Sequence, residues 1–225
     1  MRLVELPLVL ARAHRAIEVG ARTTLVLSGA VIDDPRLAEV VEAGGFELVG
    51  IDGHEATLES RFALPDHVTD DLRLLCCGLN PSLHAAEAGV GYVTGNNRFW
   101  PAMAKAGLAS RDRDPIHLAA HDRIGMTDLV KRPTARADEL RRDEYREGVD
   151  RLESLCTWLA PRAVAVVGLA GWRAAVDRKA SAGWQERRLG PTPVYVLPST
   201  SGLNAGTSLD DLVGHLLAAA SPPAS

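Results

Sequence analysis

Leu74-Leu75-Cys76-Cys77-Gly78-Leu79-Asn80-Pro81-Ser82 opens as an apolar run with the length of a buried strand and stops abruptly at Gly-Leu-Asn-Pro-Ser. An Asn followed by Pro just past a strand end is held rigidly, because the ring fixes its own φ and restricts the residue before it. The stretch predicts a strand tip that presents the Asn80 side chain, with backbone N–H groups around Ser82 free to face a bound group. The competing reading is an ordinary turn, with Asn80 bonded to its own backbone.

Outward from that strand (Arg73–Leu79), the chain alternates elements. A long loop over 80–96 leads to a helix at about 97–106, ended by Gly107, and a short helix near 115–121. The stretch Gly125-Met126-Thr127-Asp128-Leu129-Val130-Lys131-Arg132-Pro133 reads as a loop. A charged amphipathic helix over about 137–159, a strand at 163–167, a helix at 169–178, a strand at 194–197, a loop at 198–206 and a closing helix at 208–220 follow. Strands alternating with helices imply an α/β fold: a three-layer α/β/α core with a mainly parallel central sheet. In such sheets ligands sit beyond the carboxyl ends of the strands, so the loops at Asn80, Asp128 and Ser199 should converge on one site.

Residues 1–70 read as a small N-terminal αβ appendage, and 71–225 as the main domain. The appendage has a helix at 4–18, strands at 23–27 and 46–51, and a helix at 35–43 stopped by Gly44-Gly45. It loosely resembles the closing part of a Rossmann-like methyltransferase. No glycine-rich strand–turn–helix precedes it, so no cofactor cradle is expected. The stretch Leu64–Asp71 reads as the linker.

With 225 residues and ordinary apolar and charged fractions, the chain is expected to be a globular domain plus an appendage. No apolar run reaches the ~18–20 residues of a membrane span. Glu5, Arg12 and Arg15 interrupt the first apolar stretch, so no signal peptide is expected. Cys76, Cys77 and Cys156 form no metal-ligand spacing and fit a reducing cytoplasm. The net charge of −4 conceals an uneven distribution. Residues 1–70 carry 6 basic and 12 acidic side chains, whereas 162–190 carry 6 basic against Asp177 and Glu186. A locally basic face therefore remains available to a phosphate backbone.

Four segments recur in order: Gly78-Leu79-Asn80-Pro81-Ser82, Asn97-Arg98-Phe99-Trp100, the Gly125–Pro133 stretch, and Val196-Leu197-Pro198-Ser199-Thr200-Ser201-Gly202-Leu203. Together they resemble the mismatch-specific uracil/thymine-DNA glycosylase branch of the uracil-DNA glycosylase superfamily, over about residues 73–220. The resemblance implies hydrolysis of the N-glycosidic bond of a uracil-type base in mismatched double-stranded DNA such as U·G, at the start of base-excision repair. It implies no metal and no other cofactor. A monomer without membrane association is expected, cytoplasmic and reaching the nucleoid through DNA.

By that resemblance Asn80 holds the attacking water. An amide is a poor base, so Asn80 positions rather than activates. Asp128 departs from the Asn or Lys that relatives often carry; it is either a general base for that water or a cap on the following turn. Tyr92 is the expected aromatic under the extruded base, against the alternative of a plain surface tyrosine. Leu79, Ser82 and Ser199 complete the expected base pocket, with backbone N–H groups near Ser82 as donors. Ser201, Gly202, Leu203 and Asn204 are the expected DNA contacts, with Leu203 as the apolar wedge or, alternatively, a core leucine. The histidine that fast uracil-specific relatives carry in this last motif is missing. Lys131 and Arg132, with Arg187 and Arg188, are phosphate-contact candidates. Phe99 and Trp100 are expected to pack their helix onto the sheet. Two rivals remain open: a non-catalytic DNA-binding module, and a small-molecule hydrolase, the latter disfavoured because no Ser-His-Asp or metal constellation accompanies the pocket.

Overall fold

A computed structural model describes residues 1–223. The first 60 residues contain helices α1 (Leu6–Ala16), α2 (Gly29–Ile32) and α3 (Leu37–Ala43), and strands β1 (Arg22–Val26), β2 (Phe46–Asp52) and β3 (Glu55–Ser60). The strands form their own sheet in the order β1-β3-β2, with β3 antiparallel to both neighbours. Sequence periodicity misses β3, because Glu55, Thr57 and Glu59 alternate with Ala56, Leu58 and Ser60 over only six residues. Leu6, Leu10, Val41, Phe46 and Leu58 fill a core between this sheet and its helices.

The second sheet is built from β4 (Leu74–Gly78), β5 (Ile124–Asp128), β6 (Val164–Val167), β7 (Gly183–Leu189) and β8 (Thr192–Leu197). Its order is β5-β4-β6-β8-β7; all pairs are parallel except the antiparallel edge β7–β8. Alternation along β4 sorts the layers. Leu74 and Cys76 face α5 (Phe99–Lys105), α6 (Pro115–Ala120) and α9 (Leu209–Ala219). Leu75 and Cys77 face α7 (Arg142–Leu159) and α8 (Leu169–Ala175). The three-layer α/β/α expectation holds.

The structure departs from the sequence expectations at four places. The Gly125–Pro133 stretch begins as strand β5, buried throughout, because pairing with β4 compensates for the low strand propensity of Gly125 and Asp128. The 80–96 loop contains helix α4 (Leu83–Ala88), capped by Ser82 and ended by Gly89 at φ +63°. Strand β7 escaped because Glu186–Arg188 are charged and exposed, as an edge strand permits. Residues 64–71 are also no free tether: Leu64, Asp66, His67 and Val68 are buried. His67 and Met126 exchange backbone hydrogen bonds of 2.9 Å, which covers the exposed edge of β5.

Candidate active site

The parallel register brings Gly78 level with Asp128, so the carboxyl ends of β4 and β5 open side by side. Beyond them lies a cavity of about 180 Å³. Its wall includes Leu79, Asn80, Ser82, Tyr92, Asn97 and Asp128. A Cβ added at Gly78 would collide with the Asp128 carboxylate and come within 2.9 Å of the Tyr92 hydroxyl. Gly78 is thus the residue that leaves room for both side chains at the cavity floor.

Asn80 is not a turn residue spent on its own backbone alone. Its Nδ2 donates to the carbonyl of Arg132 at 3.1 Å and to Thr134 Oγ1 at 2.7 Å, besides a 3.2 Å contact to the Pro81 carbonyl. Those acceptors fix which end of the amide is nitrogen. Oδ1, a pure acceptor, is left for a ligand. Thr134 is buried, and backbone bonding from Thr134 N to Pro81 O at 3.1 Å ties its loop to the Asn-Pro turn.

Asp128 is the last residue of β5 and is 8 % exposed. Among the described residues its carboxylate accepts no hydrogen bond, which removes the turn-capping alternative; the bonds at this residue go to its carbonyl. Burial pushes the carboxyl up to about 6, against the pull of Lys131 and Arg151 and with a push from Asp66.

Tyr92 is no surface tyrosine. It holds a left-handed backbone at φ +57°, which is costly for an aromatic residue. Two neighbours stabilise that turn: Trp100 Nε1 donates to the Gly91 carbonyl at 2.9 Å, and Phe99 stacks on the Tyr92 ring at 4.1 Å. Phe99 and Trp100 therefore support the cavity as well as packing α5 onto the sheet. The Tyr92 hydroxyl is buried with no partner, and burial raises its pKa well above the ordinary phenol value.

The second expected motif follows β8. Leu203 is 91 % exposed, which excludes the core alternative. Arg98 ties this loop to the start of α5: its guanidinium donates to the carbonyls of Ser201 (3.2 Å), Asn204 (2.7 Å) and Thr207, while its N–H donates to Thr200 O. Gly202 sits against Asn96, where a Cβ would lie 2.8 Å from the Asn96 carbonyl oxygen.

Several expected contacts fall elsewhere. Lys131 is turned inward, donating 2.6 Å bonds to Asp66 and to the Leu64 carbonyl, so it cannot reach a phosphate. Arg132 is paired with Glu144 through Nε and Nη2; its contribution to the site is its carbonyl under Asn80. Ser199 lines a neighbouring groove with Arg173 and Thr207, not the cavity, and its hydroxyl accepts from Ser201 N. The Asn204 amide is used inside its own loop, on the Ser199 carbonyl and Thr207. The Ser82 hydroxyl caps α4 at Ala85 N. Leu79 packs its side chain on α8 at Gly171, leaving its backbone to the cavity. Arg187 pairs with Glu153 and Arg188 bonds the Pro191 carbonyl.

A Ser-His-Asp cluster does exist. Ser110 Oγ meets His117 Nε2 at 2.8 Å and donates to Asp122 at 3.0 Å. His117 sits on α6, Ser110 after α5 and Asp122 just before β5, at the amino end of that strand, and the carboxylate bonds the serine instead of orienting the histidine. The cluster offers nothing to the small-molecule hydrolase reading. Among the described residues no metal-holding cluster of His, Cys, Asp and Glu occurs.

A strand-tip asparagine with its amide nitrogen anchored, a buried carboxylate beside it and an exposed leucine on the loop that Arg98 ties to α5 suit removal of an extruded base. The model of the uracil DNA glycosylase superfamily matches residues 65–218. The chain belongs to the uracil DNA glycosylase superfamily. Its general class is that of a DNA glycosylase, with DNA as its partner. The glycosylase match starts at Pro65, inside the supposed linker, and so includes Asp66 and His67, which pack against β5.

Proposed function

We propose that this glycosylase belongs to the mismatch-specific uracil/thymine branch and is monofunctional, hydrolysing the N-glycosidic bond of uracil in mismatched duplex DNA to begin base-excision repair. The observation that carries this reading is the pairing of Asn80 and Asp128 on one cavity: an anchored amide with a free acceptor oxygen, beside a carboxylate with no other partner. Asn80 Oδ1 and Asp128 together hold a water under the sugar. As C1′–N1 breaks, its electron pair leaves with the base, and backbone N–H groups at the start of α4 receive that anion. Water oxygen bonds C1′, and its proton passes to Asp128, which is largely ionised at neutral pH. Tyr92 lies along the extruded base and Leu203 fills the gap it leaves in the stack. No lysine lines the cavity, which supports an abasic site as the product over a Schiff-base lyase step.

An alkali-cleavage assay on oligonucleotides containing U·G, U·A, single-stranded U and T·G tests the reading. Cleavage is expected at U·G above U·A. Salt-dependent binding without release of uracil from any substrate would instead identify a non-catalytic DNA-binding module.

A further inference from the structure

Behind the cavity, distant parts of the chain gather on one buried carboxylate. Asp66 is 1 % exposed. Its Oδ1 accepts from Lys131 Nζ at 2.6 Å and from Thr127 Oγ1 at 2.7 Å, and its Oδ2 accepts from Arg151 at 3.0 Å. Arg151 reaches on to Thr127 Oγ1 at 2.8 Å and to the Asp128 carbonyl at 2.5 Å. The network thus grips the residue before Asp128, the carbonyl of Asp128 itself and the third residue after it. Asp66 is held from the other side too, since its N–H donates to Ala43 O at the end of α3 at 2.8 Å. The N-terminal unit, the glycosylase sheet and α7 meet at this residue.

We propose that Asp66 is a positioning residue for the water-activating step: it fixes the backbone that carries Asp128 and, through the two cations it gathers, sets the pH range in which that carboxylate works. The inference rests on Asp128 being the base. The charged and titratable groups around Asp128 are Lys131 after β5, Arg151 on α7, Asp66 before β4, Cys77 on β4 and Tyr92 after α4. His67 lines the small void behind it. Burial keeps the Cys77 thiol and the Tyr92 phenol protonated and His67 neutral near pH 7, so the balance is struck by Asp66 against Lys131 and Arg151. The two cations favour the Asp128 anion and Asp66 opposes it.

Removing charge from either side should therefore move the acidic limb of activity in opposite directions. The test is the single-turnover pH profile on U·G duplex for wild type, Asp66→Asn, Lys131→Met and Asp128→Asn, with thermal melts alongside. Asp66→Asn should lower the limb's midpoint, Lys131→Met should raise it, each by about half a pH unit or more. Both should reduce the plateau rate, by roughly tenfold for Asp66→Asn. If Asp66→Asn does not fold, Lys131→Met, which leaves the Arg151–Asp66 pair, still gives the readout. A limb lost in Asp128→Asn but unmoved in the folded network variants, or moved in one direction by both, overturns this inference alone. A limb retained in Asp128→Asn overturns the base assignment and the inference with it.

Discussion

At Asp128 the burial that makes a carboxylate a useful base also weakens the fold. The folded carboxyl titrates at about 6 against an ordinary 3.8. Between those values the unfolded chain is ionised while the folded one stays protonated, so this group's contribution to stability falls as pH rises. Above about pH 6 it costs roughly 3 kcal/mol; below about pH 4 it costs nothing. Asp128→Asn should accordingly raise the urea midpoint at about pH 8 and leave it nearly unchanged at about pH 4, while activity falls. Asn80 behaves differently, because its orientation depends on the acceptors of its amide nitrogen. Thr134→Val keeps the side chain's volume and removes one of them. Single-turnover base release should slow roughly tenfold with a stability change of only about 1 kcal/mol. An unchanged rate would show that the carbonyls of Arg132 and Pro81 suffice to orient the amide.

The elements around the site differ in how much of their role is legible. The tip of β4 is readable, because an apolar run ending in Asn-Pro leaves few backbone options. Strand β5 is not, since its character comes from pairing with β4 and from the His67–Met126 bridge rather than from its own residues. The loop after β8 advertises an exposed Leu203 but hides its support, Arg98, about a hundred residues earlier. Thr134, Asp66 and Arg151 stay invisible for the same reason: their partners at Asn80, Lys131 and Thr127 are 24 to 65 residues away in sequence. Lys131 and Arg132 mislead because a basic pair near a site reads as phosphate-binding until its carboxylate partners are seen. At this scale the wedge is the testable part. Leu203→Ala should cut base release from U·G duplex roughly tenfold or more, affect single-stranded uracil much less, and leave the melting temperature unchanged, because the side chain is bare in the free protein. An equal loss on both substrates would contradict a role in filling the duplex.

Across the whole molecule, the N-terminal unit is joined to the glycosylase core by contacts beyond the covalent chain. Trp158 on α7 packs against both cores, and Asp66 is bonded on both sides. That junction holds two buried groups with displaced titration, His67 and Asp66. His67 is buried and held neutral, its ring titrating near 3. Burial raises Asp66, but Lys131 and Arg151 overcome that effect and hold it at about 2. As pH falls from about 6.5 the unfolded chain gains the His67 proton before the folded one does, so stability declines down to about pH 3; Asp66 adds its own loss between about 4 and 2. Asp128 works in the opposite sense between about 6 and 4, which partly masks the slope. In an Asp128→Asn background, His67→Gln should therefore flatten the dependence of unfolding free energy on pH between about 6.5 and 4. An equally steep slope would place the acid-sensitive group elsewhere.

In the proposed mechanism Asn80 holds a water that Asp128 deprotonates. Its most direct measurement is the single-turnover rate of uracil release from a U·G duplex across about pH 5–8, for wild type and Asp128→Asn. The wild-type rate should climb with a midpoint near 6 and level off, and Asp128→Asn should lose that limb and fall roughly a hundredfold at the plateau. An Asp128→Asn enzyme that matches wild type across the whole range would contradict it.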